Sequence, residues 1–304
     1  MNIKNKVLNE ILFHRAYAQR QADILLSKTL KDEEFKTLYT KLRSLDIDEA
    51  LGKTNDANKQ REQLNKKIDI VLKKKGLSQN DFLPKYDCAQ CHDKGLVDGK
   101  YCDCFYKKLN QALTSNVGIN INKEHTFENV DSSLFDDKEK MSKIFEKMEK
   151  WCENIKNSQY KNLLLSGKMG TGKTYLTECI ANKLISQNIS VSFYTAFALN
   201  NLFLKFHTTF EEGKNDILSP LLDVEVLIID DLGTEPKYKN VTEEYLYLII
   251  NERLSKNMPT IITTNLSLED ILSKYGARIF SRLCNKQTSI LLQVENSDIR
   301  LKRK

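Results

Sequence analysis

The sequence has no long apolar run and no large excess of charge of one sign. Within its 304 residues, no stretch approaches the ~20 consecutive apolar residues that a membrane-spanning helix needs. The start, MNIKNKVLNEILFHR, has an early charge but no uninterrupted apolar core and no small-residue cleavage site, which argues against a secretory signal. We therefore expect a cytoplasmic protein with no membrane partner. The net charge of +6 permits contact with nucleic acid but does not require it.

Glycine is scarce in residues 1–83, which contain Gly52 and Gly76 and no glycine-rich loop. Apolar residues recur there at steps of three and four, which is typical of amphipathic helices. The two apolar stripes consist of Leu8, Ile11, Ala18, Ala22 and Leu25, and of Leu64, Ile68, Val71 and Leu72. We therefore predict an all-helical module, compatible with an antiparallel hairpin, in this part of the chain.

After a polar stretch, TSNVGININKEH (114–125), apolar strands alternate with helical patterns. The predicted strands are NLLLSG, SVSFYTA, VEVLIIDDLG, TIITTN and SILLQV. Helices are predicted between them, including a long one through AFALNNLFLKFHTTFEEG (196–213). Strands separated by helices of this length form a parallel sheet with helices on both faces, so the predicted fold class is α/β.

The long helix carries aromatic residues whose role has two interpretations. Basic groups at Lys205 and His207 lie among them, as in surfaces that bind single-stranded nucleic acid. Their spacing, however, places them on one helical face, and we interpret that face as core. Its residues are Leu199, Phe203, Phe206 and Phe210. The loop KYKN (237–240) is a better candidate for contact with a phosphate backbone, although a solvated loop would look the same.

The segment Gly167-Lys-Met-Gly-Thr-Gly172-Lys173-Thr174 matches the phosphate-loop pattern G-x-x-x-x-G-K-[ST]. A predicted strand enters it and a predicted helix leaves it, so backbone N–H groups and the helix N-terminus can surround phosphates. Lys173 is expected to hold the β and γ phosphates, and Thr174 to bind Mg²⁺. The residues predicted to bind the nucleotide are Gly167, Gly170, Thr171, Gly172, Lys173, Thr174 and Tyr175.

Two carboxylates follow the most apolar strand, in VLIIDDLG. Asp230 is predicted to hold the magnesium ion through water, and Asp231 to act as general base on the attacking water. The alternative is an acidic strand end that only forms a turn. The strand SVSFYTA lies between the phosphate loop and this pair, an order that favours an ATPase with an acidic catalytic residue over a nucleotide kinase.

Three later residues complete the predicted catalytic set. Asn265 ends the strand TIITTN and could orient the water near the γ-phosphate, although an asparagine there is more often a turn former. Arg278 and Arg282, in GARIFSRL, are four residues apart and lie on one face of a helix. An arginine that neutralises phosphate charge can come from a neighbouring subunit. Otherwise both are solvated surface residues.

Four of the seven cysteines are closely spaced in CAQCHDKGLVDGKYCDC. The chelating pairs, Cys88 with Cys91 and Cys102 with Cys104, suit Zn²⁺ held by four thiolates in a tetrahedron. His92 is an alternative fourth ligand, and free buried thiols would be the non-metal interpretation. The remaining cysteines are isolated, which favours a packing role.

The order of phosphate loop, acidic pair, TTN and SRL over residues 126–304 resembles an AAA+ ATPase. More narrowly, LIIDDLGTE, TTNLS and GARIFSRL resemble the bacterial replicative-helicase loaders of the DnaC/DnaI type, with the transposition ATPase IstB a close cousin. The resemblance implies ATP with Mg²⁺, a parallel sheet between helices without a full lid, and an adenine pocket near residues 126–130. It also implies that Arg300 touches the γ-phosphate, although DIRLKRK could equally be a frayed basic tail.

The resemblance extends to domains and partners. It implies a helical partner-binding module (1–83), a zinc knuckle (84–113), a linker (114–125) and the ATPase domain (126–304). A zinc knuckle before the ATPase favours the DnaI type over IstB. The implied partners are a replicative DNA helicase, contacted by the N-terminal module, single-stranded DNA, and further copies of the chain joined with ATP. The alternatives are a transposition or phage-replication accessory ATPase, and a nucleotide-switched adaptor that hydrolyses little ATP.

Overall fold

The computed structural model describes residues 3–53, 56–115, 121–210 and 214–302. The chain divides into two compact units, one formed by Leu8–Cys102 and the other by Met1–Val7 together with Asp103–Lys304. Within the described ranges, no helix is both long enough and apolar enough to cross a bilayer.

The first unit is helical, as predicted. Its helices belong to α1 (Ile3–Thr29), α2 (Glu33–Ala50) and α3 (Ala57–Lys74). Helix α2 begins at Asp32, whose carboxylate accepts a hydrogen bond from the Phe35 backbone N–H and satisfies one of the orphan donors of the first turn. α2 and α3 pack through a small apolar core made of Phe35, Ile68, Val71 and Leu72. The predicted α3 stripe is therefore the buried face of that helix.

A two-stranded antiparallel sheet lies between the two cysteine pairs in the sequence. Its strands are β1 (Leu96–Val97) and β2 (Lys100–Tyr101), and the turn between them uses Asp98 and Gly99, both with positive φ. Aspartate and glycine tolerate this left-handed conformation, so the chain can reverse within two residues and bring the cysteine pairs together.

The second unit contains a five-stranded parallel sheet in the order β4-β5-β6-β3-β7. The strands are β3 (Asn162–Ser166), β4 (Val191–Thr195), β5 (Val226–Leu232), β6 (Thr260–Thr264) and β7 (Ser289–Gln293). All five predicted strands are confirmed. Because parallel strands end at one edge, the segments that follow β3, β5 and β6 converge there.

The helices of this unit precede the first strand of the sheet or connect its strands. They are α4 (Asp103–Ser115), α5 (Lys138–Glu153), α6 (Lys173–Ser186), α7 (Ala196–Thr208), α8 (Lys214–Leu222), α9 (Thr242–Ser255) and α10 (Leu268–Leu283). α10 is bent at Gly276, where φ is 76°. The main core packs α5 and α6 against the sheet around Leu163, Leu165, Leu176, Ile180 and Ile228. The predicted α/β class is confirmed.

The long helix predicted over 196–213 is wrong at its C-terminal end. Helix α7 stops at Thr208, because Thr209 has an extended backbone (φ −86°, ψ 126°). Phe210 is 90% exposed and is not a core residue, whereas Leu199 and Phe203 are buried as predicted. Residues 211–213 lie outside the described part of the chain, and α8 follows them with Pro220 inside it.

A buried arginine joins the beginnings of two central strands to the end of α8. The Arg253 side chain has no solvent exposure and donates hydrogen bonds to four backbone carbonyls and one hydroxyl. The acceptors are Leu221 O, Val224 O, Glu225 O, Pro259 O and Thr260 Oγ1. The guanidinium thereby supplies donors to carbonyls at the end of α8 and before β5, and a second donor to Pro259 O, which also accepts from Leu227 N–H.

Candidate nucleotide site and cysteine cluster

The phosphate loop runs from β3 to the start of α6. Gly172 caps the helix with φ 99°, a conformation that favours glycine. Two other glycines are required by close packing. A Cβ at Gly167 would lie 2.2 Å from Val294 O, and a Cβ at Gly170 would lie 2.1 Å from the Asp298 carboxylate carbon. The C-terminal segment that contains Val294 and Asp298 is therefore in close contact with the phosphate loop.

Lys173 and Asn265 meet at the end of the sheet. The Lys173 ammonium donates to Gly167 O and Lys168 O, each at 2.7 Å, and to Asn265 Oδ1 at 2.8 Å. Burial lowers the pKa of Lys173 from its ordinary value. A partly desolvated ammonium among carbonyl oxygens is a strong attractor for phosphate oxygens. The structure thus places the predicted lysine and the predicted asparagine side by side.

Asp230 and Thr174 form a pair of oxygen ligands next to the loop. The Asp230 carboxylate accepts hydrogen bonds from Thr174 Oγ1 at 3.1 Å and from Thr263 Oγ1 at 2.6 Å. Burial and then the charge of Asp231 raise the pKa of Asp230 from its ordinary value. A divalent cation would favour the charged carboxylate, and a hydroxyl beside a carboxylate suits Mg²⁺. These side chains fit the predicted magnesium site.

Asp231 lies in an irregular part of β5. The register with β6 shifts between Ile229 and Leu232, and Asp231 has φ 56°. Its backbone N–H donates to Thr263 Oγ1 at 2.8 Å. A bulge of this kind interrupts the alternation of side chains along a strand, so both adjacent aspartates reach the carboxyl edge. Backbone strain often occurs at functional sites.

These residues surround a cavity of about 290 Å³. Most of the predicted nucleotide and catalytic residues line it, together with five that were not predicted. The predicted residues are Gly170, Thr171, Gly172, Lys173, Thr174, Tyr175, Asp231, Asn265 and Arg300. The additional ones are His125, Met169, Glu178, Thr234 and Ile299.

His125 is the most informative of the residues that the sequence analysis missed. Its ring centroid is 4.4 Å from that of Tyr175, and its Nδ1 is hydrogen-bonded to Glu178. Asn182 Nδ2 donates to His125 O at 2.8 Å and fixes the backbone there. The sequence instead places His125 in the predicted linker (114–125) and predicts the adenine pocket at residues 126–130, where Asn129 O accepts a hydrogen bond from the Tyr175 hydroxyl.

Arg300 lies at the cavity on a C-terminal strap, defined here as residues 294–302. Ile299 N–H donates to Gly170 O at 2.9 Å, which fastens the strap to the phosphate loop. The Arg300 guanidinium donates to both Asp298 carboxylate oxygens, at 2.9 and 2.8 Å. Arg300 thus lines the cavity, and its charge is shared with Asp298.

The comparisons with known proteins identify the family. The sequence model described as "IstB-like ATP binding protein" matches residues 113–304, more than half of the chain. The chain belongs to the IstB-like ATP-binding family. The phosphate loop and the acidic pair of this IstB-like protein lie within the matched region.

Curated relatives support the resemblance to the DnaC type. "Replicative helicase loader DnaC" of Escherichia coli (strain K12) is 29% identical over 145 residues, which cover 47% of the IstB-like chain and 56% of DnaC. The chain thus spans little more than half the length of this relative. "Uncharacterized protein YqaM" of Bacillus subtilis (strain 168) is 26% identical over 231 residues, covering 71% of this chain and 72% of YqaM. The predicted resemblance is confirmed.

A solved structure supports the fold. The replication initiator DnaA bound to AMPPCP and single-stranded DNA matches with a TM-score of 0.50 at 19% identity, covering 60% of this chain and 54% of DnaA. Together with the five-stranded sheet, this likeness confirms the AAA+ fold that the motif order predicts.

Two predicted residues of the IstB-like chain, Arg278 and Arg282, lie outside its nucleotide cavity. Their guanidinium carbons are 4.0 and 4.4 Å from the centroid of the Tyr247 ring. Arg282 also donates to Asn251 Oδ1 at 2.9 Å and to the Tyr247 hydroxyl at 2.8 Å. The structure does not bring this pair to the phosphate loop of the same chain.

The four clustered cysteines come together as a group of potential metal ligands. Their sulfur atoms all lie within 4.8 Å of one another, and those of Cys88 and Cys102 are 3.8 Å apart. A tetrahedral zinc site with Zn–S bonds of ~2.3 Å has sulfurs ~3.8 Å apart, so the arrangement fits zinc. The group consists of Cys88, Cys91, Cys102 and Cys104, and it does not include His92.

Neighbouring groups orient the cysteine ligands. The Asp93 carboxylate accepts from the N–H groups of Asp87 and Cys88, each at 2.9 Å, and shapes the first cysteine turn. Gly95 N–H points at Cys91 Sγ, 3.4 Å away, which favours the thiolate. The His92 ring instead packs against Tyr86, with centroids 5.5 Å apart.

Proposed function

We propose that this protein is an ATP-dependent loader that delivers a replicative DNA helicase onto single-stranded DNA. The observation that carries the proposal is the similarity of its ATPase region to the helicase loader DnaC. The cavity with its phosphate loop and acidic pair supports ATP as the switching ligand. The helical unit and the zinc-compatible cysteine cluster are then available to hold the helicase.

The side chains have distinct roles in the proposed hydrolysis. Lys173 and the loop N–H groups hold the β and γ phosphates, and Asn265 orients the attacking water. Thr174 and Asp230 hold Mg²⁺, which would neutralise phosphate charge. Asp231 takes the proton of the water as it attacks the γ-phosphorus, and ADP leaves.

The arginines act in different ways in this proposal. Arg300 contacts the γ-phosphate from the strap. Arg278 and Arg282 do not line the cavity of their own chain, and in this proposal Arg282, assisted by Arg278, reaches the nucleotide of a neighbouring copy. ATP therefore joins copies of the chain, and turnover separates them. The base of the nucleotide lies beside His125 and Tyr175, whose rings form one wall of the cavity.

The test uses the full-length, zinc-loaded protein and the purified replicative helicase of the same organism. We expect capture of the helicase and ATP-dependent transfer of it to a labelled single-stranded oligonucleotide. Lys173→Ala should still capture the helicase but should not transfer it, because it cannot hold the phosphates. Failure of the folded, metal-loaded protein to capture the helicase would contradict the proposal.

A second candidate is a transposition accessory ATPase, and the name of the matching family model favours it. Its chemistry at the cavity would be the same, but its partner would be a transposase. Capture of a transposase of the same organism in place of the helicase would decide for this function. The cysteine cluster places this candidate second, because a zinc knuckle before the ATPase resembles the DnaI type rather than IstB.

A further inference from the structure

Two arginine side chains, Arg278 and Arg282, make cation–π contacts with the ring of Tyr247. Arg278 and Arg282 come from the last two turns of α10, and their guanidinium carbons lie 4.0 and 4.4 Å from the ring centroid. Tyr247 projects from α9, and Asn251, one turn later on that helix, accepts a hydrogen bond from Arg282 Nε. The pair is therefore held against a defined surface of the neighbouring helix.

Neither arginine of this pair forms an ion pair within the described part of the chain, although the Glu244 carboxylate attracts Arg278 from beyond ion-pair distance. Arg282 is held by an amide oxygen, a tyrosine hydroxyl and the carbonyl of Arg278, all of them uncharged. Aromatic rings attract guanidinium groups without cancelling their charge. Both guanidinium carbons lie within 4.4 Å of the same ring centroid, so an anion beside this ring would be attracted by both charges. Arg278 is exposed, so the pair is accessible from outside.

We propose that Tyr247, with Asn251, is a positioning residue that presets Arg278 and Arg282 for the triphosphate bound in a second copy of this chain. The inference rests on the proposed ATP-dependent self-association. A planar guanidinium stacked on a ring loses less freedom when it binds phosphate than a mobile side chain does. Without the ring, the arginines remain in the sequence but lose their common orientation.

The experiment compares steady-state hydrolysis and nucleotide binding in four variants. Tyr247→Ala should lower kcat about 10- to 100-fold, because a displaced charge stabilises the transferring phosphoryl group poorly. Its ATP affinity, measured on the dilute protein, should stay within about twofold of wild type, since Tyr247 does not line the cavity. Tyr247→Phe keeps the ring and should keep most of the rate.

The other two variants are controls. Arg282→Ala should lose at least as much rate as Tyr247→Ala. Tyr245→Ala removes a tyrosine of the same helix whose ring packs against Phe206 and His207, and its rate should stay near wild type. Thermal melting of every variant shows whether the fold is intact.

A mixing experiment asks whether Tyr247 acts across subunits. Asp231→Asn subunits lack the proposed base but have an intact arginine pair, and Tyr247→Ala subunits have an intact nucleotide site. We expect the mixture to hydrolyse ATP at least about fivefold faster than the sum of the separate proteins. Lack of recovery, or loss of ATP binding by Tyr247→Ala, would overturn the inference.

The controls separate this inference from the proposed function. If Arg282→Ala loses activity while Tyr247→Ala keeps it, Tyr247 has no positioning role and the proposed function stands. If Arg282→Ala itself keeps full activity, arginine action between copies is wrong, and the proposed assembly fails with it.

Discussion

At the scale of single residues, the phosphate loop tolerates no side chain at Gly170. A methyl group there would overlap the Asp298 carboxylate, and φ is 74°. If the displaced packing falls on the nucleotide-binding conformation, Gly170→Ala should cost roughly 1–3 kcal/mol, equivalent to about 5- to 150-fold in ATP affinity. Calorimetric titration with ATP would measure this.

Gly76→Ala is the matched control for that substitution. Gly76 has φ 69°, but nothing lies within 4 Å of the position of its Cβ. The Gly76→Ala variant should therefore have only the backbone strain of an alanine in the left-handed region, and its ATP affinity should be unchanged. Equal losses of affinity in the two variants would show that the contact with Asp298 is unimportant.

Asp298 limits the charge that Arg300 can offer. The carboxylate pairs with the guanidinium and lies next to the phosphate loop, where it also repels phosphate. Asp298→Asn should therefore raise the affinity for ATP about two- to fivefold, with a smaller effect on ADP, which lacks the γ-phosphate. Competition with a fluorescent nucleotide would measure both. Adding Arg300→Gln should abolish the gain, and a gain that persists would assign the effect to Asp298 alone.

At the scale of secondary-structure elements, Arg253 is the residue on which β5, β6 and α8 depend together. Arg253→Lys keeps the charge but supplies three donors in place of the five-donor fork, so buried carbonyls lose their partners. We expect a loss of roughly 2–4 kcal/mol in the free energy of unfolding of the second unit. Urea unfolding followed by the fluorescence of Trp151, the one tryptophan of the sequence, would measure it.

Arg43→Lys provides the comparison for that measurement. Arg43 lies on α2 in the other unit, where it contacts the Tyr39 ring and hydroxyl. The Trp151 transition should not move in this variant. A similar shift in both variants would mean that the loss at Arg253 does not arise from its buried carbonyl partners.

The sequence predicted those elements whose information is local. Strand β3, the glycine loop and α6 are contiguous, and each pattern is recognisable within a few residues. Helix α8 was missed because it has nine residues and contains Pro220, so no apolar period could develop. The end of α7 at Thr208 was missed because aromatic residues continue past it.

The candidate site, like the fold, was predictable only where its residues form a local motif. The residues of the phosphate loop and the acidic pair carry a recognisable spacing. His125 does not, because its place at the cavity depends on Asn182 and Glu178, more than fifty residues later. The contact of Tyr247 with Arg278 and Arg282 could not be predicted either, since Tyr247 is one of twelve tyrosines and only the packing of the fold distinguishes it.

At the scale of the whole molecule, the cysteine cluster is predicted to work independently of the nucleotide cavity. The purified protein should contain about one zinc per chain, and Cys88→Ser should release it. ATP affinity should not change, because none of the four cysteines lines the cavity. Metal analysis by mass spectrometry and nucleotide titration would measure the two effects.

Cys284→Ser is the matched control for metal content. Cys284 is a half-buried thiol outside the four-cysteine group, so its replacement should leave the zinc in place. If metal content is the same in the Cys88→Ser protein and the wild type, these cysteines do not form a zinc site.

The position of β3 in the sheet determines when the phosphate loop can form during synthesis. β3 lies between β6 and β7, and its first residue, Asn162, contacts Ser289, 127 residues later. The strap that fastens Gly170 is made later still. When the glycine loop leaves the ribosome, β3 therefore has neither of its neighbouring strands, β6 and β7, to pair with. We therefore expect the nascent chain to gain affinity for ATP only after β7 and the strap have been synthesised.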